Sequence, residues 1–307
     1  MTAVDIVVRT KNRPKFLARA LEDILAQEFT DWHLIIVDNG DDPTETKALV
    51  DARGFGDRCT VLRQPEPVGV PALSNIGVNA GTAEFVTIHD DDDTWHPQFL
   101  TRTIAHLRAT DDLAVAVRTE IVWEQQIGNV LQETGRELFH PFMQEPTYFD
   151  LLRFNHMVPI GIVFRRSAYE DLGPFDERCE VVDDWVFNLS LARAGGYGFL
   201  GDEPLAFWHQ RPDAHGDAGN TVIDKQHLHI RDDRRVRDRA VREYVDEYGP
   251  GALLYLAKFI DERTGDLHGR LDRIEAQQEE ILRLLREQAH NADTLGRIKR
   301  RVSRLRP

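Results

Sequence analysis

The stretch Glu84-Phe-Val-Thr-Ile-His89, continued by Asp90-Asp91-Asp92-Asp93 and Thr94-Trp95-His96-Pro97, decides how this chain is read. Its opening residues are β-branched and aromatic, as a buried strand requires. Four adjacent carboxylates, however, repel one another. They become tolerable where a strand ends at the surface and a hard divalent cation, Mg2+ or Mn2+, neutralises them through oxygen ligands. On an extended backbone alternate side chains share a face, so Asp90 and Asp92 are expected to converge on one ion while Asp91 and Asp93 point elsewhere. Taken alone, such a run reads more readily as a solvated acidic turn; the surrounding chain is what makes it a site.

Upstream, Val4-Asp-Ile-Val-Val8 is a short strand, and Arg13-Pro14 opens a helical pattern with Phe16, Leu17, Ala20, Leu21, Ile24 and Leu25 on one face. Leu34-Ile-Ile-Val37 is a second strand ending at Asp38-Asn39-Gly40. Residues 43–52 suit a helix, Thr60-Val-Leu62 a strand, and residues 71–80 another helix. Strands alternating with helices imply βαβ units and a mainly parallel sheet, in which ligands collect beyond the carboxyl ends of the strands. Polar residues stand at three such ends: Arg9-Thr10-Lys11-Asn12, Asp38-Asn39-Gly40 and the aspartate run.

Downstream the pattern is more mixed. Helices are expected over 97–109, 166–172 and 183–194, and strands over 113–117, 121–124 and 161–164, with an aromatic and proline-rich loop over 139–148. From about Arg231 the chain reads as charged helix. From about Leu267 it reads as coiled coil, with Leu267, Leu271, Ile274, Ile281 and Leu285 at a/d-type spacing and Leu295, Ile298, Val302 and Leu305 resuming the stripe. A seam this short requires a partner, which points to self-association or to docking on another protein; a helix folded back on its own domain reads equally well.

Composition sets the outer limits. The chain has 307 residues, 41% hydrophobic and 29% charged, with a formal charge of −14, which argues against a nucleic-acid partner. Cys59 and Cys179 are too few for a disulfide framework and read as packing residues. The chain enters its first strand without a charged-then-apolar leader, which gives the expectation of a cytoplasmic protein. Arg297, Lys299, Arg300, Arg301, Arg304 and Arg306 form a basic tail able to touch the inner face of a membrane; a solvated helix end is the plainer alternative.

Several stretches together resemble the inverting, nucleotide-sugar-dependent glycosyltransferases of family 2, with the GT-A fold. The family's opening Pro-Thr-x-Asn-Arg-like turn is written Arg9-Thr10-Lys11-Asn12-Arg13-Pro14, with arginine in the place of the first proline. Its Val-Asp-Asp-Gly-like strand end is Val37-Asp38-Asn39-Gly40, its Arg-Asn-x-Gly element is Ser74-Asn75-Ile76-Gly77, and its Asp-x-Asp motif lies in the aspartate run. Gly173-Pro174-Phe175-Asp176-Glu177, Val182-Asp183-Asp184-Trp185 and Glu203-Pro204-Leu205 follow in the family's order, so the similarity covers roughly residues 3–225.

The resemblance implies an α/β, Rossmann-like sheet flanked by helices, with a C-terminal helical or coiled-coil extension. It implies a glycosyltransferase domain over residues 1–230, in which residues 1–96 bind the donor and residues 97–230 the acceptor. A helical connection over 231–264 and an amphipathic helix with the basic tail over 265–307 follow. The implied donor is a nucleoside diphosphate sugar, UDP-linked because a carboxylate at Asp38 suits the uracil N3–H. Thr10, Asn12, Arg13, Asn75, Gly77 and Asp91 join it around the donor, with Lys11 a candidate phosphate neighbour, and a carbohydrate-containing molecule is the acceptor. A divalent cation would be held by Asp92 directly, with Asp90 binding the ion through water or the donor ribose. The family's histidine ligand falls at Arg211 by spacing, which leaves the flanking His209 and His215 as candidates. Asp184 would be the general base, with Asp183 in the place of the motif's glutamate; acids at a helix start also serve as caps. Trp95 and Trp185 are placed to stack on sugar or to pack beneath the motifs. Two rivals are a nucleotidyltransferase, which should carry a Gly-rich loop after the first strand, and a catalytically silent coiled-coil scaffold.

Overall fold

A computed structural model describes residues 2–128, 130–214, 216 and 219–303, the side chains of 221, 222 and 289–303 excepted. The chain forms β1 (Val4–Thr10), α1 (Pro14–Leu25), β2 (Trp32–Asp38), α2 (Pro43–Arg53), β3 (Cys59–Arg63), α3 (Val70–Ala80) and β4 (Phe85–Asp90). Then come β5 (Thr94–Trp95), α4 (Phe99–Ala109), β6 (Ala114–Ile127), β7 (Val130–Leu138), α5 (Tyr148–Arg153), β8 (Ile162–Arg165), α6 (Arg166–Leu172), α7 (Asp183–Ala194) and β9 (Tyr197–Gln210). The helices α8 (Thr221–Asp224), α9 (Gln226–Tyr248) and α10 (Gly251–Ser303) complete it.

The strands make one sheet in the order β3-β2-β1-β4-β8-β6-β9-β5, with β7 hydrogen-bonded to β6. The pairs β1–β2, β1–β4 and β2–β3 are parallel, as the βαβ reading requires. Beyond β4 the sheet is mixed, because β8 runs antiparallel to both β4 and β6 while β6 and β9 are parallel. The central strands are apolar along their length because both faces are covered. Ile6, Val8, Leu34 and Ile36 point into one core with Leu17 and Leu21 of α1 and Phe99 and Leu100 of α4. Val7, Val37, Val86 and Ile88 point into the other with Leu73 of α3 and Phe187 of α7.

The parallel register positions the site. Thr10 lies opposite Asp38 and Arg9 opposite Asp90, so the three polar strand ends fall in one row. Gly77 lets α3 lie close on this sheet: a Cβ there would sit 2.3 Å from Val7 Cγ1.

Two expectations are corrected. The strands read separately at 113–117 and 121–124 are one strand, β6, which shifts register against β9 around Arg118. The unforeseen β7 pairs with β6 as a hairpin and is largely exposed, so it lacked the apolar alternation that would have revealed it.

The chain divides into two compact units, residues 1–237 and 238–307. The second contains the end of α9 and the whole of α10, which runs unbroken from Gly251 through the a/d stripe that begins at Leu267. On it Leu267, Leu271, Ile274, Ile281 and Leu285 are all exposed. The side chains of Leu295, Ile298 and Val302, Leu305, and most of the basic tail lie outside what is described. Among the described residues no helix is long and apolar enough to cross a membrane.

Candidate active site

The ends of β1 and β4 open on a cavity of about 640 Å³, and the Asp38 end of β2 lies beside them off its wall. Its wall includes Arg9, Thr10, Lys11, Arg13 and the four aspartates from the β1 and β4 ends, and Asp183, Asp184 and Trp185 from the start of α7. Phe139, His140, Phe154 and Trp208 add an aromatic side. Their rings touch in sequence, Phe139 on His140 and Trp208, and His140 on Phe154, with centroids 4.1–5.3 Å apart. Burial keeps His140 below the ordinary imidazole range and His156 joins in; the same desolvation lowers His156.

The aspartate run leaves β4 as a turn, closed by Asp93 N–H donating to the Asp90 carbonyl at 3.3 Å. The expected alternation of faces therefore does not hold: adjacent Asp91 and Asp92 both reach Arg13 Nη1, at 3.0 and 3.3 Å. Asp91 also accepts from Thr10 Oγ1 at 2.8 Å. Burial raises the Asp91 carboxyl to about 6 against the pull of Arg13. Arg9, standing where the family has proline, donates to Asp90 and at 2.9 Å to Ser74 Oγ. Asp93 is turned inward to accept His209 N–H at 2.9 Å, and burial together with Asp92 and Asp90 drives its carboxyl well up.

Behind the run lies an ionic network that no motif announced. Arg211 is 1% exposed, donates to Asp92 and, at 3.1 Å, to Glu124 Oε2, and stacks on the Phe16 ring. Glu124 also receives Arg19 Nη1 and, at 2.9 Å, His209 Nδ1. Burial alone would raise the Glu124 carboxyl, but His209 and Arg19 hold it at about 2. His209 Nε2 accepts from Thr94 Oγ1 at 2.8 Å when Nδ1 carries the proton, so both ring nitrogens are engaged. Burial keeps this imidazole below its ordinary range. Sequence spacing held two signals for the network: arginine at positions 9 and 211, where the family has proline and histidine, beside dense carboxylates. Glu124, on the tail of β6, carried no signal.

At the other end of the cavity, Asp183 and Asp184 open α7, whose N-cap position is taken by Val182 without a side-chain hydrogen bond. Asp183 is 4% exposed and is raised by burial to about 6, with Arg9 pulling it down. Asp184 is raised to about 7, first by burial and then by Asp183. Asn155 Nδ2 donates to Asp184 Oδ2 at 2.7 Å.

Other expected donor residues have different surroundings. Asn75 is buried, donating to the Phe175 carbonyl and Glu177 and accepting from Tyr169 Oη and Phe175 N–H, so it pins the Gly-x-Phe-Asp-Glu turn. Gly77 faces the sheet and not the cavity. Asn12, in the left-handed region at φ 56°, ties the β1 end to Asp41 through both of its amide atoms. Asp38 caps its own turn, accepting Gly40 N–H at 2.8 Å, and its buried Oδ2 has no hydrogen-bond partner among the described residues. Trp95 is a core residue stacked on Phe99. Trp185 is buried, with Nε1 donating to the Leu151 carbonyl. His215 lies outside the described residues.

A divalent ion needs carboxylate oxygens that are not already engaged. Asp90 Oδ2 and Asp92 Oδ1 meet that condition, since the arginines bind the opposite oxygens and neither atom makes a hydrogen bond among the described residues. No group of three or more His, Cys, Asp or Glu side chains set to hold a metal occurs among those residues. Two carboxylates fit an ion whose remaining positions are filled by substrate oxygens and water, the usual manner of Mg2+. With Nδ1 protonated, the Nε2 lone pair of His209 is taken by Thr94 Oγ1, so in this arrangement its ring is engaged with protein groups.

Similarity to known proteins bears on what this cavity does. Residues 5–173 match the family described as Glycosyl transferase family 2. The chain is 28% identical over 191 residues to the uncharacterized glycosyltransferase YwdF of Bacillus subtilis, covering 62% of this chain and 68% of that one. It is 25% identical over 228 residues to a PGL/p-HBAD biosynthesis glycosyltransferase of Mycobacterium bovis, covering 73% and 81%. The fold resembles that of S. aureus TarS solved with UDP-GlcNAc, with TM-score 0.54, 16% identity, and 71% of this chain and 61% of that chain covered. It also resembles the mannosyltransferase PcManGT of Pyrobaculum calidifontis in complex with GDP-Man and Mn2+, with TM-score 0.50, 19% identity, and 70% and 58% covered. The chain thus spans about three fifths of the solved chains it matches. With more than half its length matched by the family and its acidic cavity built at the ends of the sheet, the chain belongs to glycosyl transferase family 2.

Proposed function

We propose that this protein moves a sugar from a UDP-sugar to a hydroxyl of a carbohydrate-containing acceptor, with inversion, and that Asp184 is the general base. The observation carrying this reading is that one cavity holds two acidic groups in different surroundings: Asp90 and Asp92 beside arginines, and Asp184 with none in direct contact among the described residues and raised to about 7. A base is most effective when its pKa lies near the working pH. In the proposed step the acceptor oxygen attacks the anomeric carbon from the face opposite the diphosphate, its proton passes to Asp184, and the bond to the phosphate oxygen breaks. Arg13 and Lys11, both on the cavity wall, favour the departing charge. A divalent ion at Asp90 Oδ2 and Asp92 Oδ1 would add charge neutralisation of the diphosphate.

Asp38 supports uridine, because its unpartnered Oδ2 is the acceptor that a uracil N3–H requires. The UDP-GlcNAc complex of TarS and the glycosyltransferase named for PGL/p-HBAD biosynthesis agree with a UDP-sugar donor and a glycan or glycolipid acceptor. The aromatic side formed by Phe139, His140, Phe154 and Trp208 suits the apolar face of a sugar ring.

A thermal-shift panel of UDP-, GDP- and dTDP-sugars with and without Mn2+ tests the donor: stabilisation is expected from UDP-sugars and is expected to require the ion. Asp184→Asn should lower transfer by about 10³-fold while UDP affinity is retained. Near-normal transfer by that variant would remove Asp184 as the base.

A further inference from the structure

Asn155 is fixed in one orientation by its neighbours. Its Oδ1 accepts from Asn188 Nδ2 and from Met157 N–H, both at 3.3 Å, so the amide nitrogen must face Asp184. Asn188 is 1% exposed, and its own Oδ1 accepts from Tyr197 Oη at 3.3 Å. The phenol is deeply buried and pushed well above its ordinary range by desolvation and by Asp184, so it stays a donor. Tyr197, Asn188 and Asn155 thus form a file in which every hydrogen bond points the same way, ending on Asp184 Oδ2 at 2.7 Å.

Building on the assignment of Asp184 as the base, we propose that Asn155, backed by Asn188 and Tyr197, is a positioning residue that holds Oδ2 and leaves Oδ1 to take the acceptor proton. An amide suits this place for a physical reason. A lysine or arginine in direct contact would hold the carboxylate too firmly ionised to be a useful base, as Arg19 and His209 hold Glu124. Without Asn155 only the Trp185 backbone N–H and the more distant Arg9 would offset burial and Asp183, and Asp184 would stay protonated over more of the neutral range. A neutral donor, strengthened by the bonds behind it, gives an intermediate result. The other charged or titratable groups acting on Asp184 are Asp183 on its own helix, Arg9 from β1 and Tyr197 from β9.

The test requires no substrate. The carboxyl carbon of Asp184 is followed by NMR through a pH titration of the full chain labelled with 13C-aspartate, and its signal is identified by its loss in Asp184→Asn. Removing a hydrogen bond to the charged form should raise the midpoint by about one unit in Asn155→Ala. Asn188→Ala, which removes only the supporting donor, should move it in the same direction by less, and it serves alone if Asn155→Ala does not fold. Where transfer is measured, the loss in Asn155→Ala should shrink as pH rises, whereas a merely structural defect would be equal at every pH. An unmoved midpoint in the folded variants overturns the proposal. That result differs from failure of the base assignment, which would appear as active Asp184→Asn.

Discussion

Glu124 and Asp184 are both carboxylates drawn away from water, and they end at opposite extremes. Glu124 is ringed by Arg19, His209 and Arg211 and lies at about 2. Asp184 receives an amide and has another aspartate beside it, and lies at about 7. Burial acts upward on both; the partners decide the outcome. Glu124, behind the aspartate run, is therefore locked as charge and helps to build that wall, while Asp184 on the cavity itself is left able to exchange a proton.

The largest effect expected from this contrast is on stability, with opposite signs at the two ends. Arg211→Ala would take one buried partner from both Glu124 and Asp92, leaving Arg19 and His209 on the first and Arg13 on the second, and should cost about 3 kcal/mol in urea unfolding. Asp184→Asn should instead raise Tm at pH 8, because it removes a charge that burial disfavours. A carboxyl raised to about 7 in the folded state withdraws stability as pH climbs from the unfolded value near 4 to about 7. The Asn variant should lack that decline. Glu124 behaves inversely, contributing stability above its unfolded value and losing it as pH falls through about 2. Equal destabilisation by both variants would break the comparison.

A smaller effect lies in the rate. Transfer should rise about tenfold per pH unit below about 7 and level off above it, following ionisation of Asp184. A profile flat from pH 5 to 8 would mean that another group accepts the proton.

The smallest effect sharpens the locked end. Since Glu124 and Thr94 engage both ring nitrogens of His209, His209→Gln should leave Mn2+ affinity in the presence of UDP within about twofold by calorimetry. Loss of a ligand costs far more, and a tenfold weakening would return His209 to the metal shell.

Legibility from the sequence followed the range of the signal. The βαβ half was readable because Val4-Asp-Ile-Val-Val8, Leu34-Ile-Ile-Val37 and the face of α1 carry local periods of apolar residues. The hairpin strand β7 was not, since it buries little and its pairing with β6 is made by backbone. Both acidic groups were visible as dense carboxylates beside familiar motifs. Their partners were hidden by distance along the chain: Arg211 and Asp92 are 119 positions apart, and Asn155 precedes Asp184 by 29.

The order of strands and helices in the first half, the family, and the residues able to carry charge were determined by the sequence alone, because composition and local period are properties of neighbouring positions. Which carboxylate is locked and which is poised was decided only by the tertiary structure. That choice depends on burial and on the one or two groups within hydrogen-bond reach, and those come from strands and helices far apart in the chain. Asn75 and His209 show the same division. Each sits in a recognisable stretch, yet the first pins a turn and the second props Glu124 and Thr94 because of what folding brings against them.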